Sequence, residues 1–97
     1  IFACNDLMAV GAIKALRKKN LDVPDDVSVM GFDGIPLCEY IEPALTTVVQ
    51  PIYEIGKAAA ELLLESIREG IELKDHIVLD TRIEVRESTG GVREGEK

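Results

Sequence analysis

The sequence predicts an α/β fold with a mainly parallel sheet. Short apolar, extended runs alternate with stretches of helical period, in the order strand, helix, strand, extended segment, helix, strand. Both helical stretches carry their own start and stop signals. The strand-like runs "IFAC" and "VSVMGF" each stop abruptly at polar residues.

The elements follow in order. "IFACN" reads as a short buried strand. Asp6 stands where a helix N-cap belongs, and "LMAVGAIKALRKK" follows with Leu7, Val10, Ile13 or Lys14, and Ala9, Ala12 and Leu16 at helical spacings. Asn20 is a natural stop. "LDVPDD" is a turn, because Pro24 forbids a continuing helix. Val27 to Phe32 is the second strand. Gly34 to Ala44 is irregular, with one helical turn around Leu37 to Ile41. "LTTVVQ" is extended and β-branched.

Pro51 then opens the longest helix, since its missing N–H has no partner at a first helical position. Ile52, Ile55, Ala59, Leu62, Leu63 and Ile67 make one apolar stripe, and Gly70 ends the helix. "IVLDTRIEVRE" alternates, with Ile77, Leu79, Ile83 and Val85 on one side, as in a strand with one wet face. The tail "STGGVREGEK" lacks periodicity and is expected to be mobile. Two patterned helices cannot cover both faces of such a sheet. The chain is therefore expected to expose apolar surface.

Composition narrows the function. With 97 residues, 46% hydrophobic and 30% charged, this is one small globular domain or a piece of a larger one. It has no tryptophan, two tyrosines and two phenylalanines, so the core must be built from Ile, Leu, Val and Ala. A net charge of −7 argues against this segment gripping phosphates. Its only basic cluster, "RKKN", fits a helix C-terminus. Cys4 lies in an apolar run and reads as a small core residue. Neither the two cysteines nor His76 has disulfide-scaffold or zinc-ligand spacing, so no metal or cofactor is expected. No apolar run approaches the roughly 20 residues of a membrane span. Ile1 already lies inside a strand-like run, which reads as a piece of a longer chain.

Open parallel sheets bind ligands outside the carboxyl ends of their strands. Two strands here end at that edge, at Asn5–Asp6 and at Asp33–Gly34. An amide beside a carboxylate suits sugar hydroxyls or the N–H edge of a purine. No nucleophile and base stand together, so no enzyme is expected. Simpler roles compete: Asp6 as a helix cap, Asp33 as a turn former before Gly34, and Asn5 as a partner for backbone groups.

The ordered set "ACNDLMA" (residues 3–9), "VPDDVSVMGFD", "PALTTVVQP" and "REST" closely resembles the carboxyl-terminal part of the lactose/galactose-repressor family of bacterial transcription regulators. The resemblance implies part of a periplasmic-binding-protein-like core with two subdomains and parallel sheets. Residues 1–49 would belong to the C-terminal subdomain. Residues 50–81 would belong to the N-terminal one, and residues 82–97 would return to the first and end in a flexible tail. Asp33 and Asn5 match positions that hold the effector, a sugar or a purine-like molecule. Ala9, Val10, Ile13, Lys14, Leu37 and Cys38 match parts of a homodimer interface, with ordinary core packing as the alternative. DNA would be bound through an N-terminal helix-turn-helix domain outside this segment, in the cytoplasm. Rival readings are a periplasmic sugar-binding transport protein and a catabolite-control regulator docked by a phosphocarrier protein.

Overall fold

The computed structural model describes residues 1–70 and 77–91. Its elements are α1 (Asp6–Lys18), β1 (Met30–Asp33), a 3-10 turn (Pro36–Glu39), β2 (Thr46–Val49), α2 (Ile52–Glu69) and β3 (Arg82–Glu84). They fall into two compact units, Ile1–Gln50 with Arg82–Lys97, and Pro51–Thr81.

In the first unit the sheet order is β1-β2-β3. β1 and β2 are parallel, with Met30 opposite Thr46 and Asp33 opposite Val49. β3 joins β2 antiparallel, so the sheet is mixed. The expected "IFAC" strand is reduced to one parallel bridge, Phe2 to Met30. Ile1 and Phe2 are exposed, and so is Cys4, which is not the core residue its apolar neighbours suggest. The core consists of Ala9, Ile13, Val29, Cys38 and Leu45, with Ala3, Ala12, Leu16, Val23, Val27, Ile35 and Ile41 packed around it. It is aliphatic, as the composition requires.

Helix α1 ends as its sequence says. Asn20 sits in the left-handed region at φ 59°. Its N–H donates to the Arg17 carbonyl and the Leu21 N–H to the Leu16 carbonyl, both at 3.0 Å. These paired bonds satisfy carbonyls that the last turn leaves open.

The chain returns through Ser88, which is fully buried. Its hydroxyl donates to the Val29 carbonyl at 2.6 Å and accepts the Thr46 N–H at 2.8 Å. Its backbone N–H donates to Ala44 and its carbonyl accepts from Val29. One side chain thus stitches the last segment to the lead-in of β1 and to the start of β2. The mobile tail expected from Ser88 onward is corrected at this residue, because four buried hydrogen bonds hold it. Residues 92–97 lie outside the described part.

The alternating stretch is a strand only at Arg82–Glu84. Its apolar phase points the other way from the one expected: Ile83 and Val85 are exposed, while Arg86 is half-buried. The reason is hydrogen bonding. The Arg86 N–H donates to Thr46 Oγ1 at 2.8 Å and its guanidinium to the Leu45 carbonyl at 2.9 Å, which turns that phase inward.

In the second unit, α2 starts after Pro51, which serves as N-cap rather than first helical residue, and ends at Gly70 with φ 66°. None of its residues is buried. The apolar stripe is present and uncovered, with Leu63 54% and Ile67 68% exposed.

Candidate functional site

The carboxyl edge of the parallel strands in the first unit gathers four polar side chains. The bridge Phe2–Met30 sets a parallel register. The Asp6 carboxylate, which accepts the N–H groups of Gly34 and Ile35, sets the residue after Asn5 against the residues after Asp33, and β1–β2 pairing places Asp33 beside Val49 and its neighbour Gln50.

Asn5, not Asp6, caps α1. It has extended backbone angles, φ −153° and ψ 171°, and its Oδ1 accepts the Met8 N–H at 2.8 Å. With the carbonyl oxygen engaged, what Asn5 offers outward is its Nδ2 amide, a pair of donors.

Asp6 is the first residue of the helix and only 1% exposed. Its Oδ2 accepts the N–H groups of Gly34 and Ile35, both at 2.8 Å, and its Oδ1 accepts from Thr47 Oγ1 at 2.6 Å. The cap role expected for it fails for a geometric reason: the side chain points into the sheet, toward the loop after β1. Burial pushes its carboxyl toward the neutral form. Hydrogen bonds from Thr47, Ile35, Cys38 and Gly34 outweigh that and leave the pKa below its ordinary 3.8. The neighbouring Cys38 thiol is pushed up to about 11, by burial first and then by the Asp6 charge.

Asp33 closes β1 at φ 123°, and Gly34 follows at φ 82°. A non-glycine residue in that region is strained, and strain of this kind persists only where the surroundings impose it. Here Gln50 imposes it from just past the end of β2. Its backbone N–H donates to the Asp33 carbonyl at 3.1 Å, and its Nε2 donates to Asp33 Oδ1 at 2.6 Å. Glycine is required next, since a Cβ on Gly34 would lie 2.9 Å from Val49. The abrupt stop of an apolar strand on Asp-Gly is thus a sharp turn that leaves a half-buried carboxylate at the edge, with Oδ2 unengaged by Gln50. Asp33 is both a turn residue and an available acceptor.

Asn5 and Asp33 are therefore brought to one edge. Gln50 belongs with them and was not singled out from the sequence. The signal was available, because "LTTVVQ" is a third strand-like run ending on a polar residue, as the other two do. Asp6 was misassigned because a carboxylate just before an apolar helical run is also what a cap looks like.

The candidate interface residues divide. Ala9, Ile13 and Cys38 are buried in this chain's own core. Lys14 and Leu37 are exposed and Val10 is half-buried. Val10, Ile13 and Lys14, with Arg17, Ile41 and Glu42, line a groove of about 430 Å³. The Arg17 guanidinium donates to the Glu42 carbonyl across it. His76 lies outside the described residues. No described helix is long and apolar enough to cross a membrane.

The fold of the first unit and its neighbouring segments agrees with comparison to known proteins. Residues 1–89 match the family described as a periplasmic binding protein-like domain, and the chain belongs to that family. Its relatives include transcription regulators. The ribose operon repressor of Haemophilus influenzae is 42% identical over 88 residues, which are 91% of this chain and 26% of the repressor. The LacI family regulator from Enterococcus faecium, solved with bound ribose, superposes with a TM-score of 0.87 at 40% identity, covering 95% of this chain and 34% of that one. A LacI family regulator from Arthrobacter sp. FB24, solved in complex with lactose, gives 0.80 at 41% identity, over 93% of this chain and 34% of that one. The chain thus spans about a quarter to a third of the proteins it matches.

Proposed function

We propose that residues 1–97 form part of the effector-sensing core of a transcription regulator, and that Asn5, Asp33 and Gln50 contact a small polyhydroxylated ligand. The observation that carries this reading is the Asp33–Gln50 pair, held in a strained turn at the carboxyl ends of the parallel strands. Asp33 Oδ2 and Gln50 Oε1 supply acceptors and Asn5 Nδ2 supplies donors, which suits the dual character of sugar hydroxyls. The ribose and lactose bound by similar regulators support the sugar class over a purine.

In the intact protein the ligand would favour one of two conformations, by no more than its difference in affinity for them. Operator binding would belong to a helix-turn-helix segment outside residues 1–97, consistent with the net charge of −7 here. The exposed groups Lys14 and Leu37, with Val10, would contribute to a homodimer, as the two-fold symmetry of operator recognition requires. Such a protein acts in the cytoplasm and performs no catalysis.

The test is Asp33→Ala in the intact protein, titrated calorimetrically with ribose, lactose and cellobiose. Loss of a charge-assisted hydrogen bond, about 1.5–3 kcal/mol, weakens the bound sugar roughly ten- to hundredfold. An affinity equal to that of the wild type for every sugar would overturn the assignment.

A further inference from the structure

We infer that Asp6 is a positioning residue for ligand recognition: its buried carboxylate holds the loop after β1 so that Asp33 presents its carboxylate at the sheet edge. This rests on the sensor reading above and deepens it by adding a group that never meets the ligand.

The argument begins with an imbalance. Asp33 adopts φ 123°, a conformation its own side chain disfavours, and Gly34 continues the turn at φ 82°. Something must hold the backbone there. Gln50 acts from one side, on the Asp33 carbonyl and side chain. From the other side, a single oxygen of Asp6 accepts the next two N–H groups along the chain, those of Gly34 and Ile35, each at 2.8 Å. Two consecutive amides converging on one carboxylate oxygen fix the peptide planes that follow Asp33 and, with them, the direction in which its Cα–Cβ bond points.

Asp6 is itself locked. It is buried, its backbone is the first turn of α1, and Thr47 Oγ1 donates to its second oxygen at 2.6 Å. Thr47 lies in β2, paired with Gly31 of β1. The carboxylate therefore ties together α1, whose cap is Asn5, then β2, which Gln50 directly follows, and the turn that carries Asp33. All three proposed ligand contacts are within one residue of an element that Asp6 touches or within the turn it braces. Its lowered pKa keeps it a charged acceptor at neutral pH, and hydrogen bonds to charged groups are the stronger ones.

A purely structural Asp6 and a positioning Asp6 make different predictions. Asp6→Asn preserves shape and keeps one oxygen for the two amides, but weakens the brace. Thr47→Val removes the lock at nearly constant volume, and Thr47→Ser retains the hydroxyl. Each is made in the intact protein and titrated with ribose, lactose and cellobiose under conditions where the protein is fully folded.

We expect Asp6→Asn to lower sugar affinity roughly tenfold, Thr47→Val to lower it by a smaller factor, and Thr47→Ser to restore it. Combined with Asp33→Ala, Asp6→Asn should cost no further affinity, because the group it positions is gone. Wild-type affinity in folded Asp6→Asn and Thr47→Val, with only the unfolding midpoint lowered, overturns the positioning role while leaving the sensor reading intact. Wild-type affinity in Asp33→Ala overturns the sensor reading itself, whatever Asp6→Asn does.

Discussion

The two units treat the same sequence device differently. Both contain a helix with apolar residues at helical spacing and a left-handed residue just past its end. In the first unit α1 buries Ala9 and Ile13 in a core shared with Val29, Cys38 and Leu45. In the second, α2 is longer and carries a broader apolar stripe, yet no residue of it is buried. Periodicity therefore reports which face a helix offers. It does not report whether a neighbour within the same stretch of chain accepts it. α1 and its sheet bury their faces within residues 1–50 and 82–91, whereas a helix of 18 residues alone gains little from propensity and relies on packing for stability.

The sharpest break of this contrast comes from paired truncations. Leu45→Ala empties a fully buried site and should destabilise the 97-residue chain by about 2–5 kcal/mol. Leu63→Ala removes a half-exposed side chain and should change the same quantity by no more than about 0.5 kcal/mol. Urea denaturation measures both. Equal losses would mean that α2 belongs to a cooperative core after all.

Of similar size is Ser88→Ala. It strands the Thr46 N–H and the Val29 carbonyl, both of which Ser88 Oγ satisfies in the interior. At about 1–3 kcal/mol for each of the two stranded groups, a loss of about 2–6 kcal/mol is expected. A loss below about 0.5 kcal/mol would show that water replaces the hydroxyl and that the return segment is not part of the closed unit.

Titration sharpens the comparison further, because Asp6 and Cys38 both belong to the first unit. The Cys38 thiol is raised from 9.0 to about 11, so the unfolded chain loses its proton first as pH rises. Stability from this group is complete below pH 9 and falls away between about 9 and 11, by about 2–3 kcal/mol. Asp6 has the opposite sign. Its folded pKa is depressed, so its contribution is present above the ordinary value of 3.8 and is lost as pH falls through the lower one. Denaturation midpoints across pH 2–11 read both limbs. At pH 8, iodoacetamide should modify exposed Cys4 in the folded protein and reach buried Cys38 only on unfolding.

Much of the fold was legible, and the failures have identifiable causes. The helices were readable because their period, caps and stops coincide: Asn20 and Gly70 both adopt left-handed φ. The strands were less so. Val27 to Phe32 reads as one strand, but only its second half pairs with β2, while Val29 hydrogen-bonds to the returning Ser88. That partner is 59 residues away and leaves no local trace. The inverted phase of Ile83 and Val85 has the same origin, since Thr46 and Leu45 draw Arg86 inward. At the site, Asn5 and Asp33 were visible as strand ends. The exchange of roles between Asn5 and Asp6 was not, because either residue type caps a helix and only the direction of the side chain decides.

The smallest expected effect isolates cooperativity from local strain. Asn20, just past the α1 cap Lys19, and Gly70, the cap of α2, are both left-handed, at φ 59° and 66°. Alanine at either must enter the left-handed region, at a local cost of about 1 kcal/mol. A Cβ on Gly70 would meet nothing within 4 Å, so backbone strain is the whole cost there. Because α1 packs on the core, Asn20→Ala should lower the denaturation midpoint of the chain by an amount matching that energy. Because α2 buries nothing, Gly70→Ala should leave the midpoint in place and appear only as faster amide exchange over the last turn, around Ser66 to Gly70. Asn20→Gly serves as the control, since glycine keeps the left-handed turn and should preserve the midpoint to within a few tenths of a kcal/mol. If Gly70→Ala shifts the midpoint as far as Asn20→Ala does, the two helices unfold together, and the difference between the units is one of exposure and not of stability.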